Sequence, residues 1–453
     1  MSNTQNQSLT PQQIVKALDQ YIVGQKNAKR SVAIALRARW RRQNADSTMN
    51  KEILPNNILM KGSTGTGKTE IGRRLAKLCN APFVKVEATR YTEEGYVGRN
   101  VDSMIQELAQ KSLNIVKAEK QEFLEQQAKE RVDNMILDIL IPPLSEETNS
   151  ERGKLDSTNL NEETRKRFLD KIRSGELDQR MIEIRIEDKT PHMVSGMIED
   201  SNMVVLQDMM SKIIPRKNKK KQVTVANARQ ILLDQELERL LEGDMDNIKK
   251  EALERAKAGI VFIDEIDKIA ANYTKVSGPD VSREGVQRNL LPIIEGSTVI
   301  TRIGPIPTDH ILFIAAGAFH NSQPSDLMPE LQGRFPIRVV FHNLTEDDFY
   351  HILQVPKNSI TKQQQALFAA EKVELNFTDG AIQAIAKAAY TLNQDRDIGA
   401  RRLLTVMVCI LDDYSFDVPE QIKPGSKITI DANLVEKKLA QLMRQEESTN
   451  YIL

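Results

Sequence analysis

Two short runs of residues carry recognisable chemistry. The first is Gly62-Ser-Thr-Gly-Thr-Gly-Lys-Thr69, which fits the pattern G-x-x-x-x-G-K-[ST] at every fixed position. Its glycines let backbone N–H groups close around the β- and γ-phosphates of a nucleotide, and the start of the following helix adds partial positive charge. Lys68 is placed to neutralise phosphate charge, and the Thr69 hydroxyl to ligate Mg²⁺. The second run is Asp264-Glu265, directly after the apolar stretch Ile260-Val-Phe-Ile263. Ligands of open α/β sheets lie beyond the carboxyl ends of the strands. There Asp264 would hold Mg²⁺, partly through water, and Glu265 would orient and deprotonate an attacking water. Asp267 has the same charge in a less favourable position and is expected to be structural. The chemistry implied is Mg²⁺-assisted hydrolysis of a nucleoside triphosphate.

The surrounding pattern supplies elements to hold these groups. Asn57–Lys61 reads as a strand running into the glycine-rich turn, and Ile71, Leu75 and Leu78 recur at helical spacing after it. Phe83–Glu87 reads as the next strand, so strand, turn, helix and strand form a βαβ unit. The fold class expected is α/β with a parallel sheet. Upstream, Thr10, Pro11 and Gln13 predict a capped helix with Ile14, Leu18 and Ile22 along one side. A second, basic helix is predicted from about Asn27 to Arg42, with Val32, Ile34, Ala35 and Trp40 inward.

Lys68 and Asp264 are 196 residues apart, whereas one or two βαβ units of roughly 30 residues would suffice between them. The surplus falls between about Ser112 and Asp246. It begins with a helical pattern through Leu113, Val116, Phe123 and Leu124, passes through the loop-like Pro142–Gly153, and closes on a charged helix holding Ile231, Leu232, Leu237, Leu240 and Leu241. It reads as an inserted, mostly helical domain. Ile311–Ala316 predicts a further strand. Beyond it Thr345 with Asp348 and Thr378 are helix caps, Lys427–Ile430 is a short strand, and Asp431 caps a last helix.

Composition narrows the class. The 453 residues include 63 Lys+Arg and 63 Asp+Glu, a formal charge of zero. That argues against a general binder of nucleic acid or membrane surfaces. Forty per cent hydrophobic residues suffice for packed cores. Cys79 and Cys409 cannot make a disulfide framework, and five scattered histidines suggest no His/Cys metal site. No apolar run approaches the ~20 residues of a membrane span, and the polar N-terminus lacks the features of a signal peptide. A soluble, cytoplasmic protein is expected.

The pairing of the phosphate loop with Ile-Val-Phe-Ile-Asp-Glu resembles the AAA+ ATPases. Gly95-Tyr-Val-Gly98, Gly278-Pro-Asp-Val-Ser-Arg-Glu-Gly-Val-Gln-Arg288, Pro329-Glu-Leu-Gln-Gly-Arg334 and Ile398-Gly-Ala-Arg-Arg402 narrow the resemblance to the Clp/Hsp100 unfoldases, over nearly the whole chain. The resemblance implies an AAA+ nucleotide-binding domain in two segments, residues 1–111 and 247–343, an inserted intermediate domain, 112–246, and an α-rich C-terminal domain, 344–453. It implies a homohexamer that hydrolyses ATP, unfolds protein substrates and passes them to a separate peptidase.

The resemblance also assigns residues. Ile22 and Val23 would pack on adenine. Gly62, Gly65, Thr66, Gly67, Lys68, Thr69 and Glu70 would hold the phosphates, with Thr69 and Asp264 on Mg²⁺ and Glu265 as base. Tyr96 and Val97 resemble the substrate-gripping pore loop. Arg334 resembles an arginine finger acting on a neighbouring subunit's γ-phosphate, and Arg401 the sensor-2 arginine. Glu330 resembles a sensor-1-like residue, preferred because the strand end Ala315-Ala316-Gly317 lacks a polar sensor. Tyr451, Ile452 and Leu453 resemble a tail that docks on the peptidase. Ser63 and Thr66 depart from residues common in the family's loop, at positions the motif leaves free. Two alternatives stay open. One is an AAA+ motor acting on DNA, supported by the basic run Arg216-Lys-Asn-Lys-Lys-Lys221. The other is an adaptor without turnover.

Overall fold

The computed structural model describes residues 9–46, 49, 52–53, 55–92, 99–142, 154–187, 218–270, 283–395 and 397–440. The chain divides into two compact units, residues 1–115 with 249–453, and residues 116–248.

The first unit is built on five strands: β1 (Ile58–Lys61), β2 (Phe83–Glu87), β5 (Ile260–Asp264), β8 (Leu312–Gly317) and β9 (Ile337–Val340). They form one sheet in the order β2-β5-β8-β1-β9, and every neighbouring pair is parallel. Strands covered on both faces need apolar residues at both parities. Ile58, Met60, Ile260, Phe262, Leu312 and Ile314 accordingly turn to one face, and Leu59, Val261, Ile263 and Phe313 to the other.

The first face is covered by α1 (Pro11–Asp19), α2 (Lys26–Gln43) and α3 (Lys68–Leu78). The predicted capping box of α1 is present, with Thr10 accepting from the Gln13 N–H and Gln13 accepting from the Thr10 N–H. In α2 the buried residues are Ala28, Lys29, Val32, Ala33, Ala35 and Leu36. Ile34, predicted inward, is exposed because it falls on the opposite side of the helix from Val32 and Leu36. Trp40 is half-buried with the Arg37 guanidinium 3.8 Å over its ring.

The second face is covered by the first part of α4 (Ser103–Leu140), by α7 (Met245–Lys257) and by α8 (Arg283–Glu295). A buried hydrogen bond of 2.6 Å from the Ser112 hydroxyl to the Ala252 carbonyl joins α4 to α7. The hairpin β6 (Thr298–Thr301) and β7 (Gly304–Pro307) follows α8, and α9 (Pro329–Arg334) leads into β9.

The C-terminal part of this unit has its own core, Phe349, Leu353, Ile385, Leu403, Met407 and Ile410 among others. Its elements are α10 (Glu346–Gln354), α11 (Ile360–Ala370), β10 (Glu374–Phe377), α12 (Asp379–Asp395), α13 (Arg401–Asp417) and β11 (Lys427–Ile430). β10 and β11 pair in parallel. Thr345 and Asp348 form a capping box, and Thr378 and Asp431 each accept a backbone N–H as expected of caps.

The second unit contains the rest of α4, then α5 (Lys154–Ser174), β3 (Met181–Glu187), β4 (Asn218–Thr224) and α6 (Val225–Gly243). Its core gathers Val132, Ile136, Ile172, Ile182, Ile184 and Leu232. Phe123, part of the predicted helical pattern, is exposed. Part of the basic run Arg216–Lys221 lies in β4, antiparallel to β3, with Lys220 paired to Glu183 at 2.7 Å. β3 alternates apolar and charged residues as a strand should. β4 has no such pattern and is a strand because β3 pairs with it. Among the described residues no helix is long and apolar enough to cross a membrane.

Candidate functional site

The parallel register brings the ends of four strands to one edge of the sheet. Lys61 lies level with Gly317, and Glu87 level with Asp264. The Gly62 N–H donates to the Gly317 carbonyl at 3.2 Å. The phosphate loop, the acidic pair and the turn after β8 therefore leave the sheet side by side.

Gly67 begins α3 with positive φ and without a side-chain cap. The first N–H groups of α3, on Lys68, Thr69 and Glu70, are thus left for a ligand. Thr66 closes the loop by donating to the Ser63 carbonyl at 2.8 Å. The buried Lys68 ammonium donates to the carbonyls of Gly62 and Ser63, the latter at 2.7 Å. Burial pushes its pKa below the ordinary lysine value; Asp264 and Asp267 oppose this and the Arg401 charge adds to it. The Glu70 carboxylate, assigned to the phosphate site, is taken up by Arg73 and Arg74. Burial raises its pKa, but these two arginines outweigh that and the net shift is downward. Arg74 also lies 3.6 Å over the Tyr21 ring.

Asp264 accepts the Glu265 N–H at 3.0 Å and pairs with Lys85 at 2.8 Å. Glu265 is exposed at φ 56°, a strained conformation for a side chain with a Cβ, and strain of this kind clusters at functional positions. Asp267 is structural, as predicted, because its carboxylate accepts the Ala318 and Phe319 N–H groups at 3.3 and 3.4 Å. It fixes the turn after β8.

The oxygen donors present suit Mg²⁺. Thr69 supplies a hydroxyl and Asp264 a carboxylate beside the phosphate loop, the sparse protein ligation a hard cation shared with phosphates prefers. Among the described residues no group of three or more His, Cys, Asp or Glu side chains could hold a metal alone.

The segment Ile22–Gln25 is held in place from several sides. Lys29, buried, donates to the Ile22 carbonyl and to Asp19, both at 2.6 Å. Gln25 clamps His342 through both its amide groups, donating at 2.7 Å and accepting at 3.1 Å. The buried Ile22 side chain reaches the phosphate loop at Gly67, with Val23 half-buried beside it.

On the other side the C-terminal segment 397–401 lies directly on the loop. The Ala400 N–H donates to the Gly65 carbonyl at 3.1 Å. Gly65 and Gly399 both have positive φ, and a Cβ on either would overlap the other segment's backbone. Asn393 shapes the turn by accepting the Ile398 and Gly399 N–H groups, each at 2.9 Å. Arg401 is exposed at the start of α13, and Arg402, one position on, is buried.

Arg334 and Glu330 are placed elsewhere. α9 leads into the amino end of β9, and the Arg334 carbonyl accepts from Asn57, the residue before β1, at 3.1 Å. The phosphate loop leaves the other end of β1, which at ~3.3 Å per residue is roughly 13 Å away. The Arg334 guanidinium pairs with Glu295 at 2.8 Å. Glu330 is exposed one turn earlier on the same short helix, so the structure groups it with Arg334 rather than with Lys68. Tyr96, Val97, Tyr451, Ile452 and Leu453 lie outside the described residues.

Several groups at the site had no signature in the sequence. Lys29 and Asn393 bond groups within ten residues of themselves, and Asn57 and Lys85 groups far along the chain, in each case at a spacing that no motif marks. Only the burial of a polar side chain, visible once the chain is folded, marks Lys29, Asn57 and Asn393.

Two family models match. Residues 57–182 match the AAA domain (dynein-related subfamily) and residues 183–338 the AAA domain (Cdc48 subfamily). The ATP-dependent protease ATPase subunit HslU of Persephonella marina is 52% identical over 99% of both chains. HslU of Cytophaga hutchinsonii is 50% identical over 98% of both. The ATP-dependent protease ATPase subunit ClpY of Bacillus subtilis is 47% identical over 98% of this chain and 99% of its own. With a phosphate loop, an acidic pair and a parallel sheet arranged to present them, and with identity of this order from end to end, the chain belongs to the HslU/ClpY family of AAA ATPases.

Proposed function

We propose that the protein is the ATPase of a two-component protease. It hydrolyses ATP in a homohexameric ring, unfolds protein substrates and threads them into a separate HslV-like peptidase. The observation that carries this reading is the contact between residues 398–400 and the phosphate loop. A nucleotide entering beside Gly65 must meet both the AAA core and the C-terminal part, so its hydrolysis can move one against the other.

Within this reading the chain comprises an AAA+ domain, residues 1–111 and 247–343, an intermediate domain, 112–246, and a C-terminal domain, 344–453. The phosphate oxygens would be met by the N–H groups of Gly65, Gly67 and the start of α3, together with Lys68. Thr69 and Asp264 would hold Mg²⁺, which neutralises charge on the phosphates when bound. Glu265 orients the attacking water and takes its proton. Ile22 and Val23 flank the base, and Arg401 senses the phosphates.

Arg334 stands at the amino ends of β1 and β9, opposite the end from which its own phosphate loop leaves, which suits a residue that serves the neighbour's site. Acting there requires it to leave Glu295. Glu330, on the same helix, serves that interface or the nucleotide beyond it. Tyr96 and Val97 grip the substrate, and Tyr451–Leu453 dock on the peptidase.

The test combines the protein with an HslV-like peptidase, Mg-ATP and a folded, tagged substrate. Degradation should require ATP, Tyr96 and residues 451–453, and Glu265→Gln should bind ATP yet hydrolyse it about 10²–10⁴-fold more slowly. Substrate loss that persists with Glu265→Gln would refute the reading.

A further inference from the structure

Gln287 is fully buried in the middle of α8, facing two backbone groups that belong to different parts of the catalytic apparatus. Its amide nitrogen donates to the Ile269 carbonyl at 2.7 Å. Its amide oxygen accepts the Met328 N–H at 2.8 Å. Ile269 ends the short turn that follows Asp264-Glu265. Met328 is the N-cap of α9, the helix that ends in Arg334.

We propose that Gln287 is a positioning residue for Arg334, a buried strut that sets the arginine's helix against the segment carrying the catalytic carboxylates. The proposal rests on the reading of Arg334 as a finger for the neighbouring site.

α8 grips α9 at both ends. Gln287 holds the Met328 N–H at the start, and Glu295, two turns on, holds the Arg334 guanidinium at the end. The second grip must open when Arg334 reaches a nucleotide. The first need not, and it remains to define where the helix points. Gln332 stiffens the same turn by donating to the Ser325 and Leu327 carbonyls at 3.0 and 2.7 Å. Asn57 ties the Arg334 carbonyl to β8, accepting the Phe313 N–H at 3.1 Å. With Arg334 released from Glu295, Gln287 still joins the start of α9 to the turn after Glu265.

An uncharged amide suits this task. It carries one donor and one acceptor, matched to one carbonyl and one N–H. An apolar residue of the same size would leave both backbone groups unpaired in the interior. A carboxylate would retain the acceptor but set negative charge against the Ile269 carbonyl, whereas the protonated acid can make both bonds. Burial favours that neutral form.

The experiment compares Gln287→Leu, Gln287→Glu, Arg334→Ala and the Gln287→Leu/Arg334→Ala double variant of the full chain. It measures steady-state ATP turnover, affinity for a fluorescent ADP analogue, thermal melting and ring assembly. Misplacing a catalytic group by about 1 Å can cost on the order of 100-fold. Gln287→Leu should therefore lower kcat by about 10- to 100-fold while ADP affinity stays within about twofold. The double variant should turn over no more slowly than Arg334→Ala, because the strut acts through the arginine. In Gln287→Glu, kcat relative to wild type should be highest at acid pH and fall as pH rises and the carboxyl ionises. This comparison is internal to one folded protein.

The proposal is overturned if Gln287→Leu turns over at the wild-type rate, if its loss adds in full to that of Arg334→Ala, or if the Gln287→Glu ratio is flat with pH. Wild-type turnover by Arg334→Ala would instead overturn the finger reading, and the proposal with it. A large loss in Arg334→Ala beside none in Gln287→Leu would sink only the strut.

Discussion

Replacing Gly399 by alanine should loosen the C-terminal segment from the phosphate loop while leaving both parts folded. Gly399 has φ 59°, and a Cβ there would lie 2.5 Å from the Thr64 carbonyl oxygen and 2.7 Å from the Gly65 carbonyl carbon. Both obstacles are backbone, so no rotamer change relieves them. Ordinary contact begins at 3.4 Å, which requires a retreat of roughly 0.9 Å. A retreat of that size removes the Ala400–Gly65 hydrogen bond, now 3.1 Å. The left-handed conformation costs an alanine ~1–2 kcal/mol, and the lost hydrogen bond about 1 kcal/mol. If nucleotide binds the engaged arrangement, about 2–3 kcal/mol appears in its affinity, a weakening of roughly 30- to 150-fold.

The assay is a fluorescent-nucleotide titration with steady-state ATP turnover, read beside thermal melting. Gly425→Ala is the control. Gly425 has φ 94° with nothing within 4 Å of a Cβ, so it carries backbone strain without overlap. It should lower stability by about 1 kcal/mol and leave nucleotide binding unchanged. Wild-type affinity and turnover in Gly399→Ala, or equal impairment in Gly425→Ala, would refute the reasoning.

Three further outcomes are expected. Lys68, its pKa lowered chiefly by burial, loses its charge at lower pH than a solvated lysine, so ATP affinity should decline as pH rises through that lowered value. The unfolded chain holds that proton longer, so the same group raises folding stability over that window rather than lowering it; Asp267→Asn, which removes an opposing charge, should move the affinity decline to lower pH. Asn57→Leu strands the buried Phe313 N–H and the Arg334 carbonyl, which should cost about 2–4 kcal/mol in urea unfolding. Phe262→Ala empties a fully buried position two residues before Asp264 and should cost about 3–5 kcal/mol in the same assay.

The strands β1, β5 and β8 were readable because each is a short apolar run that ends in a chemical signal or a turn, and β2 because Phe83, Val84 and Val86 follow the phosphate-loop helix in a βαβ order. The helix caps at Thr10, Thr345, Thr378 and Asp431 were readable because a cap is a contact between residues three apart. β4 was not, since a lysine-rich stretch becomes a strand only when β3 presents its backbone groups. Ile34 misled for a related reason: hydrophobicity alone does not say which side of a helix meets the sheet.

The amino-acid sequence by itself determined the reaction. A phosphate loop and an acidic pair are local motifs, and their chemistry follows from residue type and spacing within eight residues or fewer. Tertiary structure alone decided how those groups are connected. It set Gly399 on Gly65, Gln25 on His342, Asn57 between Arg334 and Phe313, and Gln287 between Ile269 and Met328. Each joins residues that are distant in sequence, and in most of them one partner is a backbone atom. A backbone N–H or carbonyl is the same at every position, so its place beside a given amide is decided only when the sheet and helices pack.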